Sequence, residues 1–303
     1  MIRGNRPTGR SLDPGSGLDE EFVSMDGGRR IRVVRAGTGD GPLVVFEAGM
    51  GSAASQWNHI QRELSSRYRT LAYDRAGVGG SDAADSRPTL ERMVDDLTQV
   101  LDALGETGPV LLVGHSWGGP IVRVFASLHR GRTAGLVLID ATSATVVSGA
   151  MAVLNVAAFG VNSLLFGLGR TQAFKRGLLP EGESPEIAAA DMDIMWRDLT
   201  APRIARAGRR EAQEITSSLP LLRHLERQGG PAVPAVVLQG SRRHGTWEAR
   251  MRDRQNAAAE EFAVAMPDAR LRLIPGAGHA MTHEQPNAVV ASVDEVIERI
   301  SGR

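Results

Sequence analysis

The chain has 303 residues, 42% of them apolar, with 35 basic residues against 35 acidic ones and no cysteine. The length suits one α/β core carrying an insertion, and the balanced charge excludes a surface built to neutralise nucleic-acid phosphates. Without cysteine there are no disulfides, no thiolate metal site and no thiol nucleophile.

Residues 1–20 read as a disordered tail: Met1 to Gly17 is polar, rich in Gly, Pro and Arg, and has no apolar stretch like that of a secretory signal. The default expectation is therefore a cytoplasmic protein. Strands are expected at Phe22–Met25 and Ile31–Arg35 around the turn Asp26-Gly27-Gly28. The apolar run Leu43–Phe46 suits a strand covered on both faces. A helix from Ser55 to Ser66 and a strand at Thr70–Tyr73 follow. Met93, Leu97, Val100, Leu101 and Leu104 lie at helical spacing within Thr89–Leu104. Val110–Val113 is the next buried strand, Ser116–Leu128 the next helix and Leu136–Ile139 the next strand. From 144 to 228 no strand pattern appears, only helices separated by Pro180, Pro185, Pro202 and Pro220. Alternation resumes with strand Val233–Leu238, helix Trp247–Ala265, strand Leu271–Ile274 and helix Pro286–Ile300. Such alternation predicts a mostly parallel sheet with helices on both faces. The core is expected at 21–143 and 229–303, and a helical cap, or lid, at 144–228.

Gly114-His115-Ser116-Trp117-Gly118 fits G-x-S-x-G and sits between a buried strand and a helix. That context lifts the serine hydroxyl out at a sharp turn, beside the positive end of a helix. Histidine suits the base that a serine needs. His279, in a Gly-rich loop after the last strand, is the first candidate, His283 its rival. His115 is expected to point away from the serine's face.

In these motifs the chain resembles the α/β-hydrolase superfamily, from about Glu21 to the end. Asp74-Arg75-Ala76-Gly77-Val78-Gly79-Gly80-Ser81 is similar to the family's D-R-x-G-x-G-x-S loop, and Pro275-Gly276-Ala277-Gly278-His279 to its histidine loop. The resemblance implies an α/β-hydrolase fold with a helical cap and Ser116 and His279 as nucleophile and base. The family usually carries the acid after the strand before the last. Here that stretch, Gly240-Ser241-Arg242-Arg243-His244, has no carboxylate. A minority of members place the acid where this chain has Asp140, which is expected to serve; Glu248 is the alternative. The oxyanion hole is expected from the backbone N–H groups of Trp117 and Met50, in the loop Glu47-Ala48-Gly49-Met50-Gly51-Ser52. Ser116 excludes haloalkane dehalogenases and epoxide hydrolases, which need an aspartate there.

No charge occurs between Asp140 and Arg170, and Ala150–Gly169 is long enough to cross a membrane. Its place between two strands of one sheet, its Asn155 and Asn162 and its glycines favour a packed lid helix over stable membrane insertion. Phe159 on this helix, with Trp57, Met195 and Trp196, is expected to bind a small substrate bearing an apolar acyl or alkyl group. The implied activity is hydrolysis of a carboxylic ester through an acyl-enzyme, with no metal or organic cofactor. Thioester, lactone, amide or carbon–carbon cleavage stays open on the same triad, an aminopeptidase needing a lid carboxylate such as Glu181, Glu183, Glu186, Asp191 or Asp193. So does a non-catalytic ligand-binding protein of this fold.

Overall fold

The computed structural model describes the backbone of residues 10–11, 17–243 and 245–302, and their side chains except at 10, 11, 247 and 248. In chain order its strands are β1 (Arg10–Ser11), β2 (Leu18–Ser24), β3 (Arg30–Ala36), β4 (Val44–Glu47), β5 (Thr70–Tyr73), β6 (Val110–His115), β7 (Thr133–Ile139), β8 (Ala235–Gly240) and β9 (Ala269–Ile274). They form one sheet in the order β1-β2-β3-β5-β4-β6-β7-β8-β9. Pairing is antiparallel as far as β3–β5 and parallel from β5 to β9. Most of the expected tail lies outside the described residues. Its described parts contain strand: Arg10 and Ser11 pair with Glu20 and Asp19, and Leu18–Glu20 belong to β2, because Leu18 is buried and the β2–β3 ladder runs to Leu18↔Ala36.

Strand alternation explains the two layers. In β6, Leu112 joins Val45, Leu71 and Leu136 under helices α2 (Leu90–Ala103) and α3 (Gly118–Leu128). Its neighbours Leu111 and Val113 point the other way, with Phe46 and Val137, under α1 (Asn58–Leu64) and α11 (Pro286–Ser301). Helix α2 buries Leu90, Met93, Val94, Leu97, Val100 and Leu101, and the Thr89 side chain caps it by accepting from Arg92 N–H. Each such apolar side chain stabilises the fold by about 2 kcal/mol, so the six together outweigh the cap's contribution of about 1 kcal/mol.

Five helices lie between β7 and β8: α4 (Gly149–Gly167), α5 (Gln172–Leu178), α6 (Ala189–Leu199), α7 (Pro202–Gln213) and α8 (Ile215–Gln228). Pro202 opens α7, where its missing N–H costs nothing. Pro220 was expected between helices but sits inside α8. The helix persists because Ile215, Leu219 and Leu222 are buried, which offsets the lost backbone bond. Helix α9 (Gly245–Ala265) and the short α10 (Met281–Glu284) complete the chain. By length and apolar composition α4 is long enough to cross a membrane. It packs along α7, where Gly208 approaches Phe159 closely, and leaves Val153, Leu154 and Leu164 exposed on its outer side.

Candidate active site

The buried strand β6 ends in a forced bend. Ser116 has φ 52°, in the left-handed region that costs a side-chain-bearing residue about 1 kcal/mol or more. The bend is held from the next strand: Ser116 N–H donates to Ile139 O at 3.0 Å, and Thr142 N–H donates to Ser116 O at 3.0 Å. Only glycine fits beside it. A Cβ on Gly114 would lie 2.7 Å from Gly118 O, and one on Gly118 would overlap the Glu47 carbonyl. The spacing of the motif thus follows from two backbone crossings around one hydroxyl.

That hydroxyl meets an imidazole from the loop after β9. Ser116 Oγ lies 3.0 Å from His279 Nε2, and His279 Nδ1 lies 2.5 Å from Asp140 Oδ2. Asp140 directly follows β7, itself at φ 42° and fully buried, with its N–H donated to Leu238 O at 2.8 Å. Burial alone would push its carboxyl up. The bond to His279 and the charges of His279 and Arg252 outweigh that and hold it below the usual carboxylate range. Arg252, from α9, grips the other oxygen, Oδ1, and Gln255 donates to Asp140 O at 3.3 Å. A buried carboxylate with two cationic or N–H partners is fixed in position and in charge, so it can orient the imidazole.

Two further histidines lie close by. His115 was expected to point away, but its ring centroid is 5.0 Å from that of His279, and its Nε2 is 2.8 Å from His279 O. The strand's pleat sends it beneath the histidine loop, where Gln56 reaches its Nδ1 at 3.0 Å. His283 is buried against Thr282 Oγ1 at 2.9 Å and has no bond to Ser116.

Ser116 and His279 open onto a cavity of about 360 Å³. Its walls are mostly apolar. Helix α4 contributes Met151, Asn155, Phe159, Asn162 and Phe166, a spacing of three and four residues that presents one helical face. Phe174 of α5 and Met195 of α6 also line it. Among the described residues, no carboxylate lines this cavity, and no cluster of three or more His, Asp or Glu is placed to hold a metal ion.

The family model described as the alpha/beta hydrolase family matches residues 44–293. The chain belongs to the α/β-hydrolase family. Over 298 residues, 94% of its length, this hydrolase is 28% identical to the polyketide synthase ThaQ of Burkholderia thailandensis, covering 13% of that protein. It is 35% identical to the cis-3-alkyl-4-alkyloxetan-2-one decarboxylase of Xanthomonas campestris over 41% of this chain and 44% of the relative. The hydrolase therefore spans less than half the length of each of these two relatives. Among solved structures, Cfl2 from Burkholderia cenocepacia superimposes with a TM-score of 0.75 at 22% identity, over 96% of this chain and 99% of that one, a likeness of fold.

Within this α/β hydrolase, Phe159 and Met195 reach the cavity as expected, but two aromatic residues do not. Trp57 is fully buried in the α1–α11 core, stacked on Phe46 of β4 at 4.9 Å, because it directly precedes α1, which packs on that face of the sheet. Trp196 turns into the contact between α5 and α6, its Nε1 donating to Glu183 Oε1 at 2.5 Å and Lys175 standing 5.0 Å above its ring. Both aromatic residues are buried in the protein interior, and neither lines the cavity. Met50 and the buried Trp117 line the cavity, and among the described residues neither of their backbone N–H groups finds an acceptor. The Glu248 side chain lies outside the described residues. The sequence reading missed Arg252, Gln56 and Glu211, whose residue types carry no motif. Arg242 and Arg243, which replace the usual acid, pair with Glu284 and Asp253.

Proposed function

We propose that this hydrolase cleaves a carboxylic ester of a small, partly apolar substrate through an acyl-enzyme on Ser116. The observation that carries the reading is the chain of two short contacts, Ser116 Oγ to His279 Nε2 and His279 Nδ1 to Asp140. In this mechanism His279 Nε2 takes the hydroxyl proton as Ser116 Oγ attacks the ester carbonyl. Asp140 holds the other nitrogen and stabilises the imidazolium. The N–H groups of Met50 and Trp117 receive the tetrahedral oxyanion, a role worth about 10²–10³ in rate per donor. The imidazolium returns its proton to the leaving alcohol. Water, deprotonated by the same nitrogen, then releases the acid.

The helices between β7 and β8 act as a cap that supplies the acyl-binding wall. The cavity lies at the small end of ligand sites, so short and medium acyl chains fit best. An aminopeptidase reading lacks support, because Glu183, Glu186 and Asp191 are engaged by Trp196, Asn287 and Arg62 and none lines the cavity.

Steady-state rates on p-nitrophenyl esters of increasing chain length test this, with thioesters and lactones assayed alongside. Turnover should peak on a short or medium chain and fall by about 10³-fold or more in Ser116→Ala. Faster turnover of a thioester or lactone would redirect the bond type. Undiminished turnover in Ser116→Ala would refute the mechanism.

A further inference from the structure

The loop after β4 is braced from behind by a pair of charges, and one of them comes from the helical insertion. Arg75 is buried at 3% exposure. Its Nη1 donates to Glu47 Oε1 at 2.6 Å and Ala48 O at 2.7 Å, and its Nη2 to Gly49 O at 2.7 Å. Its Nε and Nη2 also form a fork on Glu211 of α7, at 2.8 and 2.9 Å. Glu211 Oε2 accepts the N–H of Gly51 as well, at 2.9 Å.

These bonds fix the direction of one peptide unit. The Gly49 carbonyl and the Met50 N–H belong to the same planar trans peptide and point in opposite directions. Arg75 holds the carbonyl, so the N–H is turned to the other side, toward the cavity that Met50 and Ser116 share. The neighbouring donors are already committed: Gly49 N–H to Gln56 Oε1 at 3.3 Å, Gly51 N–H to Glu211. Of three consecutive N–H groups, Met50's alone lacks an acceptor among the described residues.

A buried ion pair is a poor source of stability, since desolvation offsets most of its attraction, and an apolar pair of like volume often does as well. What the guanidinium adds is planar geometry, reaching two carbonyls and two carboxylates at fixed angles. We propose that Arg75 and Glu211 are positioning residues that aim the Met50 N–H at the developing oxyanion. The insertion thus helps to build the site it covers. This inference rests on the acyl-transfer reading above.

The test uses the full-length enzyme with p-nitrophenyl butyrate as substrate and the trifluoromethyl ketone with the same propyl chain as probe, whose serine adduct carries an oxyanion. Glu211→Gln and Arg75→Lys keep side-chain size or charge while losing the two-sided fork. In a variant that retains its circular dichroism, kcat should fall at least about 30-fold, with inhibition by the ketone weakened by a like factor and KM within threefold, as for loss or misdirection of one oxyanion donor. A folded variant whose ketone inhibition stays within threefold of wild type overturns the inference, as does a change confined to KM. Unfolding of both variants also overturns it, assigning the pair to the stability of the fold. If the wild type neither turns over the ester nor binds the ketone, the acyl-transfer reading itself has failed.

Discussion

At the scale of single residues, the site depends on where protons sit. Asp140 bonds His279 Nδ1, leaving Nε2 free to take the serine proton. Asp140→Asn keeps the shape but offers an N–H or a neutral oxygen to Nδ1. Turnover should fall by about 10³–10⁴ while the fold persists; a loss below about tenfold in steady-state assays would remove Asp140 from the mechanism. His115 has a similarly determined tautomer. Gln56 Oε1 accepts from Gly49, so Gln56 Nε2 donates to His115 Nδ1, and His115 Nε2–H donates to the His279 carbonyl. This arrangement needs a neutral ring. Burial above all, then the charge of His279, lowers His115 to about 4. The unfolded chain binds that proton near pH 6.5. Stability is therefore full above about 6.5 and is lost as pH falls toward 4, because the unfolded state gains the proton first. Urea unfolding at pH 7 and pH 5 should show His115→Asn losing about 2 kcal/mol less than wild type between the two. Equal losses would contradict the neutral assignment. Ser116 was legible at this scale because its neighbours in space, Gly114 and Gly118, are also its neighbours in sequence. Glu211 was not, because the groups it touches lie 136 and 160 residues away and a lone glutamate on a helix reads as a solvated one.

At the scale of elements, apolar patterning located the strands but not the neighbours of every buried side chain. Each inner strand was readable as an apolar run, and Thr70–Tyr73 matches its expected bounds. Periodicity alone left a buried tryptophan ambiguous between core and cavity, and Trp57 and Trp196 went to the core. The acid illustrates a second limit. The loop after β8 carries arginines, and the carboxylate that bonds His279 is Asp140, just after β7, with α9 supplying Arg252 and Gln255 to hold it. The crossing of β4 by α3 yields a sharp expectation. Gly118→Ala drives a methyl into the Glu47 carbonyl. It should cost more than about 3 kcal/mol in chemical denaturation; a change under 1 kcal/mol would show that the crossing can relax. The outer face of α4 should behave oppositely. Leu154 and Leu164 are 63% and 66% exposed, so changing either to Gln should alter stability by less than about 0.5 kcal/mol. A larger fall in Tm would mean that this face is covered.

Across the whole molecule, the sheet brings together residues that the chain keeps far apart. Parallel strands place the ends of β6, β7 and β9 along one edge, so Ser116, Asp140 and His279 converge although 163 residues separate the serine from the histidine. The fold class was legible because it follows from alternating strands and helices, a property of pattern. The cavity's contents were less so, since its walls come from α4, α5 and α6, whose placement no local rule fixes. The central claim is that His279 activates Ser116 as a nucleophile. The most direct measurement is intact mass and peptide mapping after exposure to a fluorophosphonate. One adduct is expected, on Ser116, absent from Ser116→Ala and formed at least about 10³-fold more slowly in His279→Ala. An unmodified wild-type protein, or an adduct on any other residue, would contradict the account.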